Sequence, residues 1–258
     1  MVLVEFEAKT AQIGVIKLND PDQLNAMGVE MATEFKALTK ELKQKTELRV
    51  LIITGSGRAF SAGGNLEMLK EKTKLSQIRN KELMLDFYSS FLGILDLKIP
   101  LIAAINGPAV GAGMCLASAC DFRLAVTGTK LGFTFLKLGL HPGMGATIFL
   151  PRIIGYPKST ELLYSAKIIT SEEAFTIGLI NQLAADAAGL ASEALKIANE
   201  LLLVGPKALS QLVETMRPAI DELKKGLDRE ANCQSINYNS PEFLEGIQAT
   251  IEKRLAKF

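Results

Sequence analysis

Two turns built from small residues are the parts of this chain best suited to chemistry. The stretch 102–115 carries an apolar run, Ile102-Ala-Ala-Ile105, into Asn106-Gly107, and Gly111-Ala112-Gly113 then opens an apolar helix. The stretch 50–66 repeats the plan. Val50-Leu-Ile-Ile-Thr54 reads as a buried strand, Gly55-Ser-Gly57 turns out of it, and Phe60-Ser-Ala-Gly-Gly-Asn-Leu66 leads into a helical pattern. Glycine and alanine let a ligand come close to the main chain. The first N–H groups of a helix have no partner within it, and the helix dipole adds positive potential beside them. Such a turn can hold a developing negative charge, as an oxyanion hole does. Close packing also calls for small residues, but two such turns, each between a β-branched strand and a helix, point to one shared site.

Few side chains are candidates for proton transfer. His141 is the only histidine, and imidazole titrates near neutrality; its alternative role is to hydrogen-bond the backbone and shape the turn before Pro142. Tyr88 could protonate an enolate, or it could line a pocket with its hydroxyl tied off. Cys115, near a helix start, could have a lowered pKa, but its apolar neighbours Met114, Leu116 and Ala117 fit a buried, inert thiol better. Asp121 reads as a structural hydrogen-bond acceptor. The three cysteines form no CxxC pair, so neither a metal site nor a disulfide framework is expected.

The elements that must position these residues are legible in the hydrophobic pattern. Residues 2–8 and 12–18 read as strands. Residues 28–45 form an amphipathic helix with Met31, Phe35, Leu38 and Leu42 on one face. A strand at 50–54 precedes the first turn. Residues 66–97 are mostly helical, and Lys70, Lys72 and Lys74 suggest a mobile, solvated middle. A strand at 101–106, a helix from Val110 and a strand at 122–126 complete a strand–helix repeat. Strand signals fade after about Pro157. Ser171 is expected to cap a short helix that ends at Gly178, and 186–204, 206–227 and 241–257 read as further helices.

Composition narrows the classes. Of 258 residues, 48% are apolar, so a sizeable core is available. A formal net charge of +1 argues against chain-wide attraction to nucleic acid or anionic membrane. The absence of Trp and the presence of only four Tyr argue against a base-stacking platform. The first residues lack the basic and apolar regions of a signal peptide, and no apolar run reaches the length of a membrane span. These features lead to the expectation of a soluble, cytoplasmic protein.

In this order, Asn19-Asp-Pro-Asp-Gln-Leu-Asn-Ala26, Ala59-Phe-Ser-Ala-Gly-Gly-Asn-Leu66, Pro100-Leu-Ile-Ala-Ala-Ile-Asn-Gly107, Cys120-Asp-Phe-Arg123, Leu138-Gly-Leu-His-Pro-Gly-Met-Gly145 and Gly246-Ile-Gln-Ala-Thr-Ile-Glu-Lys-Arg254 resemble the crotonase, or enoyl-CoA hydratase/isomerase, superfamily over nearly the whole chain. The resemblance implies an α/β fold with a ββα spiral core over residues 1–195, followed by a helical trimerisation region over 196–258. It implies an acyl-CoA substrate, no cofactor beyond the coenzyme A of that substrate, and a homotrimer or dimer of trimers. Carried over residue by residue, it makes the amides of Gly64 and Ala112 the oxyanion donors. It sets coenzyme A along Ala26, Ala62 and Leu66, with Lys253 near the phosphates. His141 then borders the acyl pocket, and Tyr88 falls where thioester dehalogenase relatives carry a working histidine.

The pattern breaks at the two hydratase glutamates, where this chain has Cys115 and Phe135. A phenyl ring cannot move a proton and a thiol is a poor substitute for a carboxyl group, so two-glutamate water addition is not supported. The resemblance leaves three readings: an enoyl-CoA hydratase/isomerase-type enzyme with another acid or base, a decarboxylase of glutaconyl-type thioesters, or an acyl-CoA-binding protein without chemistry. Polyketide-pathway decarboxylases resemble this chain in the run from Pro142 to Thr147 and in lacking both glutamates.

Overall fold

The computed structural model describes residues 2–258. Its main sheet has the order β1-β2-β3-β4-β6-β9, made of β1 (Val4–Ala8), β2 (Ile13–Leu18), β3 (Val50–Gly55), β4 (Leu101–Ile105), β6 (Phe122–Val126) and β9 (Gln182–Ala184). Only the β1–β2 hairpin is antiparallel; the later pairings are parallel. A second sheet joins β5 (Ala109–Val110), β7 (Lys130–Gly132) and β8 (Ile168–Thr170). The helices are α1 (Val29–Leu42), α2 (Leu66–Glu71), α3 (Gln77–Leu92), α4 (Ala112–Ala119), α5 (Ala146–Ser165), α6 (Ser171–Thr176), α7 (Ala187–Leu202), α8 (Pro206–Met216), α9 (Ile220–Asn237) and α10 (Pro241–Ile251).

The parallel strands are apolar throughout because both faces are covered. Ile13, Val15, Val50, Ile52, Ile102, Ala104 and Leu124 form one core with Leu190, Ala194 and Ala198 of α7. The alternate residues, including Ile16, Leu51, Ile53, Leu101, Ala103 and Ile105, face the larger core with α1, α3 and α4. A boundary at residue 195 therefore falls inside α7, a continuous helix whose small residues seal the sheet; the helical region proper begins with α8.

Three other expectations change. The helix anticipated over 206–227 is two helices, because Pro218 forces Arg217 into an extended conformation (φ −74°, ψ 156°). The short helix after β8 is capped by Thr170, which forms a capping box with Glu173, and Ser171 is its first residue. Lys72 is not solvated but buried, 5% exposed, on the face it shares with Leu69.

Candidate active site

The two small-residue turns leave the carboxyl ends of β3 and β4, which are parallel neighbours in register from Leu51↔Leu101 to Thr54↔Ala104. That pairing delivers both turns to one edge of the sheet. Asn106 laces them, accepting from the Gly55 N–H at 3.0 Å and donating to the Gly57 carbonyl at 3.0 Å. Ser61 and Ala109 form a parallel bridge, with the Val110 N–H donating to the Ser61 carbonyl at 3.1 Å. The approach is close enough to require glycine. A Cβ on Gly63, whose φ is +90°, would sit 2.7 Å from the Val110 carbonyl oxygen, and one on Gly113 would sit 2.6 Å from the Ser61 Cβ.

Gly64 bridges to Met27 through its neighbours: the Met27 N–H donates to the Gly63 carbonyl at 2.7 Å and the Asn65 N–H to the Met27 carbonyl at 3.0 Å. This leaves the Gly64 N–H on the opposite side of the ribbon without an acceptor among the described residues. Ala112 is the first residue of α4, and the first helical closure is from the Cys115 N–H to the Gly111 carbonyl, so the Ala112 N–H is also free among the described residues. Both residues line one cavity of about 600 Å³. The cavity can therefore offer two main-chain donors to an oxygen atom.

Ala26, Ala62, Leu66 and Tyr88 line the same cavity. The N–H groups of Ala26 and Ala62 are spent on the Gln23 and Leu24 carbonyls, so their own carbonyls are what they can offer a ligand. Asn65 caps α2 by accepting from the Met68 N–H at 2.9 Å, which starts that helix at Leu66. Lys253 lies past α10 in a left-handed conformation (φ +54°), is exposed, and does not line the cavity. Lys137, which pattern reading passed over, does line it, at its exposed side.

The proposed proton-transfer groups fare differently. His141 is not at the cavity. It lines a separate groove with Cys233, Asn237 and Phe258, and its Nδ1 lies 2.6 Å from the Pro142 carbonyl oxygen. Burial holds its pKa below the usual imidazole value, against the opposing effect of that carbonyl. The turn-shaping role is the one its geometry suits, and its candidacy as a catalyst is withdrawn.

Tyr88 is at the cavity but tied off. Its hydroxyl donates to Gln234 Oε1 at 2.8 Å, and burial, reinforced by Tyr238, Glu230 and Cys115, pushes its pKa well above the ordinary phenol value. Cys115 is fully buried behind the wall and donates to the Gly143 carbonyl at 3.3 Å; burial, then Glu230, raises its pKa. Phe135 is part of the lining. The cavity wall between the amides and Tyr238 thus carries no carboxylate: among the described lining residues only Glu67 has one, and it is exposed.

Two buried ionisable side chains escaped sequence reasoning. Lys72 follows α2, and its carbonyl accepts from Asn80 Nδ2 at 2.8 Å. Lys72 does not line the cavity; its ammonium group has no ion-pair or hydrogen-bond partner among the described residues but is not fully enclosed, and burial, then Arg79, lowers its pKa to about 8. Asn80 is fully buried with an unpartnered Oδ1. It lies one turn before Met84, and Lys72 one turn after Leu69; both Met84 and Leu69 line the cavity. The spacing of Leu69 and Lys72 on one helical face was the available signal. Glu230, fully buried on α9, accepts from the Gly145 N–H at 2.7 Å, the Thr147 N–H at 2.9 Å and the Thr147 hydroxyl at 2.6 Å. It caps α5 from another helix, a contact no local pattern announces.

Comparison with known proteins agrees with this architecture. The family model described as enoyl-CoA hydratase/isomerase matches residues 8–258. A crotonyl-CoA hydratase of Syntrophomonas wolfei is 34% identical over 100% of this chain and 97% of its own. The crystal structure of an enoyl-CoA hydratase from Bacillus halodurans superposes with a TM-score of 0.88 at 28% identity, covering 96% of this chain and 99% of that one. Pseudomonas aeruginosa OdaA gives a TM-score of 0.84 at 29% identity, covering 96% and 98%. Among the described residues, no helix is long and apolar enough to cross a membrane.

Proposed function

As the chain belongs to the enoyl-CoA hydratase/isomerase family, we propose that it is an enzyme acting on an acyl-CoA thioester through an enolate. In this reading the Gly64 and Ala112 amides hold the thioester oxygen, and neither family glutamate takes part. The supporting observation is the pair of unengaged N–H groups lining one cavity. One such donor is worth about 3–4 kcal/mol in a transition state that builds charge on oxygen. Coenzyme A runs along Ala26, Ala62 and Leu66 toward the exposed side, where Lys137 can meet a phosphate. The enzyme needs no cofactor beyond that coenzyme A, and it works in the cytoplasm as a homotrimer or dimer of trimers.

Within the enolate class, the lack of both family glutamates from the cavity wall favours loss of CO2 from a glutaconyl-type thioester. Water addition in this family uses carboxyl groups as base and acid, and the enclosed part of the lining has none, its one carboxylate, Glu67, being exposed. In decarboxylation the bond to the departing carboxylate breaks and its electron pair becomes the enolate, with the negative charge on the thioester oxygen between the two amides. CO2 leaves, and the enolate carbon takes a proton from water.

The test incubates the protein with crotonyl-CoA and with a 3-methylglutaconyl thioester and follows hydration, double-bond movement and CO2 release. CO2 release from the second substrate supports the decarboxylase. Hydration or isomerisation alone retains the enolate reading and removes the decarboxylase. Tight acyl-CoA binding without product replaces the enzyme with a binding protein, and failure to bind overturns all three.

A further inference from the structure

The far wall of the cavity is governed by one face of α9. Glu230, Gln234 and Tyr238 follow each other at helical spacing and are 0%, 2% and 0% exposed. Gln234 sits at the centre of a closed polar cluster. Its Oε1 accepts from the Tyr88 hydroxyl at 2.8 Å and from the Tyr238 hydroxyl at 3.1 Å, and its Nε2 donates to the His141 carbonyl at 2.8 Å. Asn237 adds a hook on the same loop by accepting from the His141 N–H at 2.9 Å, and Glu230 holds the loop's other end at Gly145.

Between these hooks lies Met144, buried and lining the cavity, in a left-handed conformation (φ +55°) that a residue with a Cβ does not adopt without restraint. Next to it, a Cβ on Gly143 would fall 2.3 Å from the Tyr88 hydroxyl and 2.6 Å from Gln234 Nε2. The loop and the amide group are thus pressed together with no spare space. The polar atoms of the far wall satisfy one another and leave the acyl chain an apolar boundary.

We propose that Gln234 is a positioning residue that sets the depth of the acyl cavity, holding Met144 in place and thereby selecting acyl length independently of the coenzyme A portion. The inference rests on the acyl-CoA reading above. Removing the amide leaves two buried phenols without their shared acceptor and frees the His141 carbonyl, so the loop between the hooks loses its central restraint.

The experiment measures dissociation constants of free coenzyme A, butyryl-CoA and octanoyl-CoA by calorimetry, for the unsubstituted protein, Gln234→Leu and Gly143→Ala, with folding checked by circular dichroism. The expected result for Gln234→Leu is an octanoyl-to-butyryl affinity ratio raised at least about fivefold, with affinity for free coenzyme A within about twofold. Gly143→Ala leaves Gln234 in place and pushes on the same contact, so it shifts the ratio in the same direction and decides the matter if Gln234→Leu does not fold. An unchanged ratio in a folded variant, or affinities for all three ligands falling together, overturns the proposal. If the unsubstituted protein binds none of the three, it is the acyl-CoA reading that has failed.

Discussion

Lys72 is an expensive residue to keep. A cation 5% exposed without a partner costs stability, and a hydrophobic side chain of similar length would fit the same space. Lys72→Met should therefore raise stability at pH 7 by about 1–2 kcal/mol, seen as a Tm increase of roughly 2–6 °C. The pH dependence has a definite sign. The native side chain loses its proton at about 8 and the unfolded one near 10.5, so between these values the unfolded state holds more protons. The stability of the unsubstituted chain then rises with pH relative to the variant, and the gap closes above about pH 10.5; thermal scans at pH 7, 9 and 11 check it. The sequence showed three lysines in a row of alternate positions, which reads as solvent until one knows which face the helix buries. Residue types alone marked the two small-residue turns as places for a negative charge, because a backbone donor needs only a turn and a small residue; the family resemblance singled out Gly64 and Ala112 within them. Which of its two readings His141 takes was not legible: its ring turns to the neighbouring Pro142 carbonyl, and its main-chain N–H is held by Asn237 on α9, 96 residues away.

At the scale of elements, α5 begins on a cap supplied from α9. Glu230 meets three donors at the α5 start, yet burial keeps its pKa above the ordinary carboxylate value. A carboxyl group with a raised native pKa binds protons in the folded state over a window where the unfolded chain has released them. Stability from this group is present below the unfolded value near 4.5 and is lost as pH rises through the native one. The unsubstituted protein should show that downward slope relative to Glu230→Gln in denaturant titrations across pH 4–8. Glu230→Gln should itself be less stable at pH 4 by about 1–3 kcal/mol, since its single amide oxygen cannot serve both Gly145 and Thr147. Strands and amphipathic helices were legible through their periods. The break at Pro218 was missed because apolar spacing continues across it, and the α9 cap because its partners are 83 and 85 residues apart in sequence.

For the whole molecule, the site is a consequence of strand order. Because β3 and β4 are parallel neighbours, both turns emerge at the same edge, and the helical region brings α9 and α10 over the cavity they form. The α/β plan was readable from alternating strand and helix signals, and the family motifs in their order supplied the rest. The extent of the helical region was not, since α7 belongs to the core by packing and not by composition. Exposed Leu203, Met216 and Leu255, 86%, 75% and 90% accessible in the single chain, accord with an assembly. Light scattering should give three or six times the 27.9 kDa chain mass; a monomer at micromolar concentration would contradict the trimer. The central claim, that two amides from separate turns grip one carbonyl, is tested most directly by isotope-edited infrared spectroscopy of bound [1-13C]butyryl-CoA, comparing the unsubstituted protein with Ala112→Pro. Proline is tolerated at a first helical position; it removes the N–H in question and sets its ring Cδ where that hydrogen pointed, closing the place between the two amides. The account predicts a thioester carbonyl stretch shifted below its free-solution position on binding, with that shift lost in Ala112→Pro. An identical stretch in both proteins would contradict it.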